Sequence, residues 1–385
     1  MKEKKAAPLF FLAAMTWFGY HCGAGFASGA QVRIYAAQYG RIGIVVPIIA
    51  WVACTIFMYI VCEYGRLIKA KSYRDVGATI YYDKSPALSR IIILLWDILI
   101  FMSSITAVGS CVAGCGALFE QLFGLPYWIG CAGFIIVMVL ILCFGQNILE
   151  RLGKLGTALV IVFFVVCGVG LAYNFGHMTE VMATDLGAST VEMTPMTLFT
   201  QGMTYGIVQI GSFQALCVMS GKFTSRSDTI KFSLMGFLIN CGAMLISFFS
   251  LMAYYTDIIN DSLPTLGIIQ NFSGPLYIIL IIAYNFVLIM AYITTAGAMI
   301  AGGQARYVPL LSKKINSELA CRVIVTLVFI GSATALSTLG LDGILTTVNG
   351  INASARLPIW FIPLLILGPI AIHRVSKQQK LEQSK

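Results

Sequence analysis

Glycine residues interrupt the first apolar segment of the chain near its middle. The sequence Gly-Tyr-His-Cys-Gly-Ala-Gly-Phe-Ala-Ser-Gly occupies positions 19–29. Each glycine weakens a helix by about 1 kcal/mol relative to alanine, and broken backbone at membrane depth is tolerated only where protein buries it or a wet cavity receives it. Free N–H and C=O groups at such a break can bind an ion or a small solute. The predicted solute-binding residues here are Gly23, Ala24, Gly25, Phe26, Ala27 and Ser28.

The chemistry available at this break is binding rather than bond making. The N–H groups of residues 24–28 open the next helical half, and the positive end of a helix dipole attracts a carboxylate. The hydroxyl of Ser28 can donate a hydrogen bond or cap that half. His21 is an alternative residue for coupling transport to an ion, in this case the proton, because an imidazole titrates near physiological pH. Its other interpretation is a neutral, hydrogen-bonded packing residue.

A second apolar segment, residues 195–220, contains a similar interruption around Gly202, Gly206 and Gly211. Paired interruptions at corresponding positions are the best sequence indication of a transport site. The alternative is that these glycines only permit close helix packing. The predicted solute-binding residues of this segment are Gln209, Ser212, Phe213 and Gln214. We add Ser104, since its run of small residues either leaves cavity volume opposite the breaks or serves packing.

Three charged residues lie inside apolar segments, where ionisable groups are functional candidates. Arg33, in the second half of the first segment, is a predicted gate residue with Glu120 or Asp342 as its partner. Asp97 lies close to a charged end of its segment, where we expect a Lys or Arg to pair with it. The sequence assigns no role to Arg356.

Composition defines the class of protein. The 385 residues are 58% hydrophobic and 11% charged, with a mean hydropathy of +0.87, whereas soluble domains carry about 25% charged residues. Apolar runs that can cross a bilayer recur along the chain, without the alternation of apolar and polar residues typical of a membrane barrel.

The eleven cysteines lie almost entirely in these runs and are expected to be small hydrophobes rather than disulfide partners. No GxSxG, HExxH or phosphate-binding loop is present, so neither an enzyme nor a cofactor is predicted.

Ten membrane helices are predicted, with boundaries good to about four residues. We number them helix 1 to helix 10, and they cover residues 8–39, 42–62, 88–122, 127–144, 155–175, 195–220, 230–255, 276–301, 319–339 and 352–372. The N-terminus imitates a signal peptide, but we expect it to be retained as helix 1.

Positive charge predicts the orientation of these helices. All Lys and Arg fall on one side except Arg33, Arg41 and Arg356, which places both termini in the cytoplasm of a plasma-membrane protein. The loops expected to face the cytoplasm are 69–88 and 306–318, and those expected to face outside are 178–194 and 257–273. The net charge of +9 is therefore a topology signal, and no nucleic-acid partner is predicted.

The helices divide into two sets of five. We predict a first repeat over 1–178, a second over 195–372 and a cytoplasmic tail over 373–385. Because each repeat has an odd number of helices, the second is inverted in the membrane relative to the first. The predicted fold class is an all-α polytopic membrane protein with helices 1 and 6 broken.

The sequence Gly-Ala-Gly-Phe-Ala-Ser-Gly at 23–29 resembles the first-helix motif of YkvI-type membrane proteins. These are similar to branched-chain amino-acid carriers of the amino acid–polyamine–organocation superfamily. The resemblance implies the leucine-transporter fold of five plus five inverted helices, and alternating access by rocking helices 1, 2, 6 and 7 against 3, 4, 8 and 9. The chain differs at helix 6, where Phe213-Gln214 stands in place of an aromatic-Asn pair.

The resemblance also implies a sodium site. In the leucine-transporter fold two adjacent hydroxyl residues of helix 8 complete such a site with carbonyls of the helix 1 break. The matching positions are Thr294 and Thr295, with the backbone carbonyls of His21, Cys22 and Phe26. The alternative is that each threonine bonds the carbonyl four residues before it.

The predicted function is a secondary active transporter that couples sodium to symport of a small amino-acid-like or other organic solute. The alternatives are a proton-coupled or uncoupled carrier, and a channel or a non-transporting solute sensor on the same scaffold. The lipid bilayer and the small solute are the predicted partners, and the sequence predicts no oligomeric state.

Overall fold

The computed structural model describes residues 7–81, 86–144, 156–184 and 194–383, which are helices and connecting turns. Several residues of the charge argument lie outside these ranges, namely Lys2, Lys4, Lys5, Lys84, Arg151, Lys154 and Lys385. The same holds for part of the loop 178–194. Within the described ranges each of the ten predicted helices has a helical counterpart.

Helix 1 consists of three segments, Leu9–His21, Ala24–Ala27 and Ala30–Tyr35. Helix 6 consists of Pro195–Gln209 and Phe213–Ser220, joined by the 3-10 turn Ile210–Ser212. The backbone of this turn remains in the right-handed helical region, so the interruption of helix 6 is milder than that of helix 1.

The remaining helices are longer and mostly continuous. They are Val45–Ile68 (helix 2), Pro86–Phe123 (helix 3), Tyr127–Phe144 (helix 4), Gly156–Tyr173 (helix 5), Arg226–Met252 (helix 7), Gly274–Leu311 (helix 8) and Glu318–Ser337 (helix 9). Helix 10 runs from Gly340 to Gln383 through two π-helical turns, Ile344–Val348 and Leu357–Phe361. It begins twelve residues before the predicted start. The apolar pattern missed this stretch because Asp342, Thr346, Thr347 and Asn349 make it polar.

Six of the described helices are long and apolar enough to cross a membrane, and a bent pair, Ile161–Tyr173 with Phe175–Ala183, makes a seventh. Large apolar side chains such as Ile279, Ile282 and Leu238 are exposed on the outside of the bundle. Apolar surface of this kind requires lipid rather than water around it. The chain is a multi-pass membrane protein.

Small residues set the spacing of the helices that surround the breaks. An ideal Cβ on Gly206 would lie 2.6 Å from the carbonyl oxygen of Ala50, so helices 6 and 2 are in backbone contact. Gly236 of helix 7 similarly faces the ring of Trp17, where a Cβ would approach within 2.2 Å. These contacts support the packing interpretation for Gly206, and they place helix 6 against helix 2 and helix 7 against helix 1.

In the described part of the chain, shorter helices connect the long ones. Among them are Ala37–Ile44, Tyr73–Ile80, Phe175–Ala183, Tyr255–Ile258 and Pro264–Gln270. Helix 1 begins and helix 10 ends at one face of the bundle, which we call the terminal face; Gln379 of helix 10 donates a hydrogen bond there to the carbonyl of Leu67, at the end of helix 2 (3.0 Å). The other face, called the opposite face, carries Pro264–Gln270.

Candidate functional site

The break in helix 1 is a compact set of turns. The N–H of Gly23 bonds the carbonyl of His21 (2.7 Å), which ends the first segment, and Gly29 ends the single turn Ala24–Ala27 with a left-handed φ of 83°. A side chain at Gly29 would be strained by this φ and would also meet the Thr265 hydroxyl at 2.6 Å. The carbonyl of Ser28 accepts a hydrogen bond from the N–H of Thr265 (3.0 Å). The break is therefore attached to the Pro264–Gln270 helix.

A central cavity of about 130 Å³ lies beside this break. Helices 1, 3, 6, 8 and 10 all contribute to its wall. Helix 1 supplies Tyr20, His21, Gly23, Ala24, Gly25 and Gln31. Helices 3 and 6 supply Ser103, Thr106, Ala107, Ser110, Val208, Gln209, Gly211, Ser212 and Gln214. Helices 8 and 10 supply Thr295, Met299, Leu345, Asn349 and Arg356.

The structure brings both interrupted helices to this one cavity. Among the predicted site residues, the cavity wall contains His21, Gly23, Ala24, Gly25, Gln209, Ser212, Gln214 and Thr295. These are neutral groups, and most are polar or expose backbone. They suit a small polar solute.

Other predicted site residues lie behind the cavity wall. The hydroxyl of Ser28 donates to the carbonyl of Gly25 (3.1 Å) and accepts from the N–H of Ala30 (3.3 Å), so it supports the break from within. The ring of Phe26 lies 3.9 Å from that of His21, centroid to centroid, and Ala27 is buried beside it.

Phe213 and Ser104 were also expected in the wall of the central cavity, but they lie elsewhere. Phe213 packs edge-on against Trp96 and Trp360, with ring centroids 5.4 and 5.0 Å away. Ser104 bonds the carbonyl of Ile100 (2.9 Å) and lines a second cavity, while its neighbour Ser103 lines the central one. A helix turns by about 100° per residue, so the side chains of these adjacent serines point in different directions and here line different cavities.

The residues of the predicted sodium site are distributed around the break. Thr294 bonds the carbonyl of Met290 (2.8 Å), as the alternative interpretation expects, whereas Thr295 lines the central cavity. An ideal Cβ on Gly23 would lie 3.9 Å from the Thr295 methyl group. Helix 8 thus contacts the break at Thr295, and Cys22 is buried nearby as a free thiol.

His21 has a hydrogen-bond partner on both ring nitrogens. Nδ1 lies 3.0 Å from Oδ1 of Asn240, and Nε2 lies 2.8 Å from the hydroxyl of Tyr205. The Asn240 amide donates to the carbonyl of Gly236 (2.7 Å), which leaves its oxygen as the acceptor for Nδ1–H. Tyr205 in turn contacts the side chain of Gln31 at 3.2 Å. His21 thus holds helices 1, 6 and 7 together at the cavity.

Arg356 is the charged residue of the central cavity wall. Its guanidinium donates to the carbonyls of Ile207 and Val208 in helix 6 and to the hydroxyl of Ser103 in helix 3. Its side chain is 3% exposed. Sequence analysis noted this residue without assigning it a role, because its partners lie about 150 and 250 positions away.

The wall also contains residues that sequence analysis did not select, among them Gln31, Thr106, Ser110 and Asn349. Ser103, Thr106 and Ser110 follow an i, i+3, i+7 spacing that places them on one helix face. That spacing was a usable signal for the face of helix 3 that meets the cavity.

A larger cavity of about 400 Å³ extends toward the terminal face. Tyr20, Gln214 and Met299 line both cavities, so the two cavities adjoin at these side chains. The larger cavity is bordered by Asp97, which pairs with Arg74 and, at 3.2 Å, with Arg306. The expectation of a basic partner for Asp97 is confirmed.

The opposite face is closed by a different set of contacts. Arg33 forms an ion pair with Asp342, one of its two predicted partners, and donates to the carbonyl of Ile259 (3.4 Å). The buried helix Pro264–Gln270 covers the break next to them. Packed chain thus lies between the central cavity and the opposite face, whereas the central and terminal-face cavities share three lining side chains.

Comparisons with known proteins show the fold. No model of a protein family matches this chain, and no curated protein matches it. Among solved structures, it is similar to MhsT in complex with L-phenylalanine, with a TM-score of 0.55, 14% identity and coverage of 96% of this chain and 98% of that one.

Two further structures are similar at the same level. A Na⁺-coupled sialic acid symporter has a TM-score of 0.60 at 12% identity, over 92% of this chain and 79% of the other. A mutant of the Eremococcus coleocola manganese transporter has a TM-score of 0.58 at 14% identity, over 91% and 77%. Together with the broken first helix and its central cavity, these likenesses identify the chain as an all-α polytopic membrane protein with the leucine-transporter fold.

Proposed function

We propose that this protein is a secondary transporter of the YkvI type, and that it carries a small organic solute across the plasma membrane by alternating access. The observation that supports this most strongly is that the interruptions of helices 1 and 6 line the same buried cavity. Interrupted helices at the membrane midplane expose backbone groups to a solute. No catalytic constellation competes with binding among the described lining residues.

The contacts at the two faces fit one state of a transport cycle. The cavity is closed toward the opposite face by Arg33–Asp342, while the terminal-face cavity reaches Tyr20 and Gln214 at its border. With both termini in the cytoplasm, as charge indicates, this arrangement corresponds to an inward-facing state. Rocking of helices 1, 2, 6 and 7 would then open the opposite face.

We infer that sodium is the coupling ion, by analogy with the Na⁺-coupled symporter that this chain resembles in fold. Thr295 at the cavity wall and the carbonyls of the helix 1 break supply the oxygen ligands of this proposal. Proton coupling is the second candidate, and the hydrogen-bond chain from Asn240 through His21 to Tyr205 favours it. Protonation of His21 would change which of these groups donate.

Solute counterflow in proteoliposomes tests the proposal. Proteoliposomes that contain the purified protein are loaded with an excess of unlabelled solute. The solute is chosen from a thermal-shift screen of amino acids, organic acids and amines with and without sodium. Accumulation of labelled solute against the unlabelled pool is the expected result for a carrier. A channel would give equilibration without overshoot and a sensor would give no movement, and either result would contradict the proposal.

A further inference from the structure

Arg356 contributes a full positive charge to the wall of a cavity whose other described lining residues include no Asp or Glu. It lies in helix 10, directly beside the turn of helix 6. An ideal Cβ on Gly211 would lie 3.4 Å from its Nη1 atom, so glycine at this position leaves room for the guanidinium beside the turn. In the described part of the chain, the ion pairs that the acidic residues form are with other arginines, namely Arg33, Arg66, Arg74, Arg306 and Arg322.

The hydrogen bonds of this guanidinium are incomplete. A guanidinium has five N–H donors, and three hydrogen bonds to protein acceptors are present, to Ile207, Val208 and Ser103. The Nε–H is buried and has no acceptor in the protein. A buried donor left in this condition is costly, so an acceptor that reached it would be stabilising.

The charge is incompletely compensated as well. Carbonyl dipoles of helix 6 and the ring of Trp360, 5.6 Å from the guanidinium carbon, stabilise a cation but do not neutralise it. A charge buried in a membrane protein without a counter-ion is strongly unfavourable. Binding of an anion at this position would supply both the missing charge and the missing acceptor.

The properties of the cavity select the kind of anion. One guanidinium balances one negative charge, and a planar carboxylate accepts two parallel N–H bonds from it. A volume of about 130 Å³ restricts the solute to a small molecule. The remaining wall, which includes Gln209, Ser212 and Asn349, offers neutral hydrogen-bonding groups. An ammonium group would find no carboxylate among the described lining residues.

We propose that Arg356 binds the carboxylate of the solute and makes this cavity selective for small organic monoanions. This inference rests on the proposed function of the cavity as a solute site. It assigns the charge selectivity of that site to helix 10, rather than to the backbone of helix 1.

Matched solutes test the proposal on the unaltered protein. The full chain in detergent is titrated with acetate, propionate and lactate, with lactamide and propionamide as neutral analogues, and with alanine and alaninamide. Thermal unfolding and tryptophan fluorescence report binding, since Trp360 adjoins the guanidinium. We expect the monoanions to raise the melting temperature and the amides to have no effect at the same concentration. Equal binding of amides, tighter binding of alanine than of lactate, or no binding of any monoanion would each overturn the proposal.

Variants then test the residue. Arg356→Gln is expected to weaken lactate or propionate binding at least about thirtyfold, as for loss of one partner of a buried charge pair, while Arg356→Lys retains part of it. The control is Arg322→Gln, which removes an arginine from a surface pair with Glu318 and should bind as the wild type does. Because Arg356 also holds helix 6, each variant is first compared by gel filtration. A folded Arg356→Gln that binds monoanions normally would overturn the proposal.

The two proposals fail in different ways. If monoanions bind through Arg356 but counterflow shows no exchange, the anion site stands and transport is wrong. If counterflow exchanges only neutral or cationic solutes, transport stands and the anion site is wrong.

Discussion

Arg33 of helix 1 and Asp342 at the start of helix 10 form an ion pair across 309 positions of sequence, on the face of the bundle opposite the chain ends. Arg33 is largely buried, whereas Asp342 is 46% exposed. The pair connects the broken helix to the helix that carries Arg356. Its position fits a gate between the central cavity and that face.

Neutralising this pair is expected to open the opposite face more often. Arg33→Gln should raise the rate at which a charged thiol reagent modifies Leu345→Cys in the cavity wall by about two- to fivefold, because a half-exposed ion pair contributes at most about 1 kcal/mol. The exchanged pair Arg33→Asp with Asp342→Arg should restore the slow rate. A rate unchanged by Arg33→Gln would rule out a gate.

Bulk at the helix 1 break is expected to abolish uptake. An ideal Cβ on Gly25 would approach the Gln31 side chain to 2.8 Å, so Gly25→Val must displace this cavity-lining side chain. Ser28→Leu should have the same result through the lost bonds to Gly25 and Ala30. The matched control is Gly19→Val, where a Cβ meets nothing within 4 Å. Normal uptake by a folded Gly25→Val variant would contradict a solute site at the break.

Much of this break could be predicted from the sequence because its cause is local. Clustered glycines weaken a helix wherever it packs, and Gly29 adopts the left-handed φ that favours glycine. The partner of Arg33 was also predictable, since few acids lie at that depth. The surroundings of Arg356 were not, because they depend on how helices 3, 6 and 10 come together. Ser104 shows the same limit: the serine that lines the central cavity is Ser103, one position away.

Removal of the Thr295 hydroxyl from helix 8 is expected to weaken sodium coupling. Thr295→Ala should raise the sodium concentration for half-maximal uptake about five- to thirtyfold, because the lost ligand contributes about 1–2 kcal/mol, whereas Thr294→Ala, which removes a bond to the Met290 carbonyl, should have little effect. Thr334→Ala in helix 9 is the control, because it removes a similar bond to a carbonyl four residues before it. Uptake that ignores sodium at clamped pH would reject the site and favour His21, which His21→Ala then tests.

The orientation of the chain can be measured with single added cysteines. The ten native cysteines whose side chains the structure describes are buried, so an impermeant maleimide should mainly report the added one. Ser312→Cys, at the end of helix 8, is expected to react only after the membrane is opened, whereas Asn271→Cys should react in intact cells. Labelling of position 312 from outside would reverse the assignment.

Asp261, in the connection between helices 7 and 8, should make stability depend on pH. Burial raises the pKa of this carboxyl, and the nearby Arg33 charge partly offsets the effect. A raised pKa means that ionisation costs more in the folded state, so stability is lost as pH rises from the unfolded pKa through the folded one. Asp261→Asn should therefore gain melting temperature relative to the wild type between pH 4 and pH 7. A constant difference across this range would contradict the shift.

The hydrogen bond from Thr265 to the carbonyl of Ser28 offers a route to an optical sensor. The helix that contains Thr265 ends at Gln270, and Asn271 follows it at an exposed position. A solvent-sensitive dye attached to Asn271 would lie on the protein surface. The short helix Pro264–Gln270 would connect it to the broken helix. Its emission would report occupancy of the buried compartment without any label inside it, which makes the protein a scaffold for reagentless detection of whatever it binds.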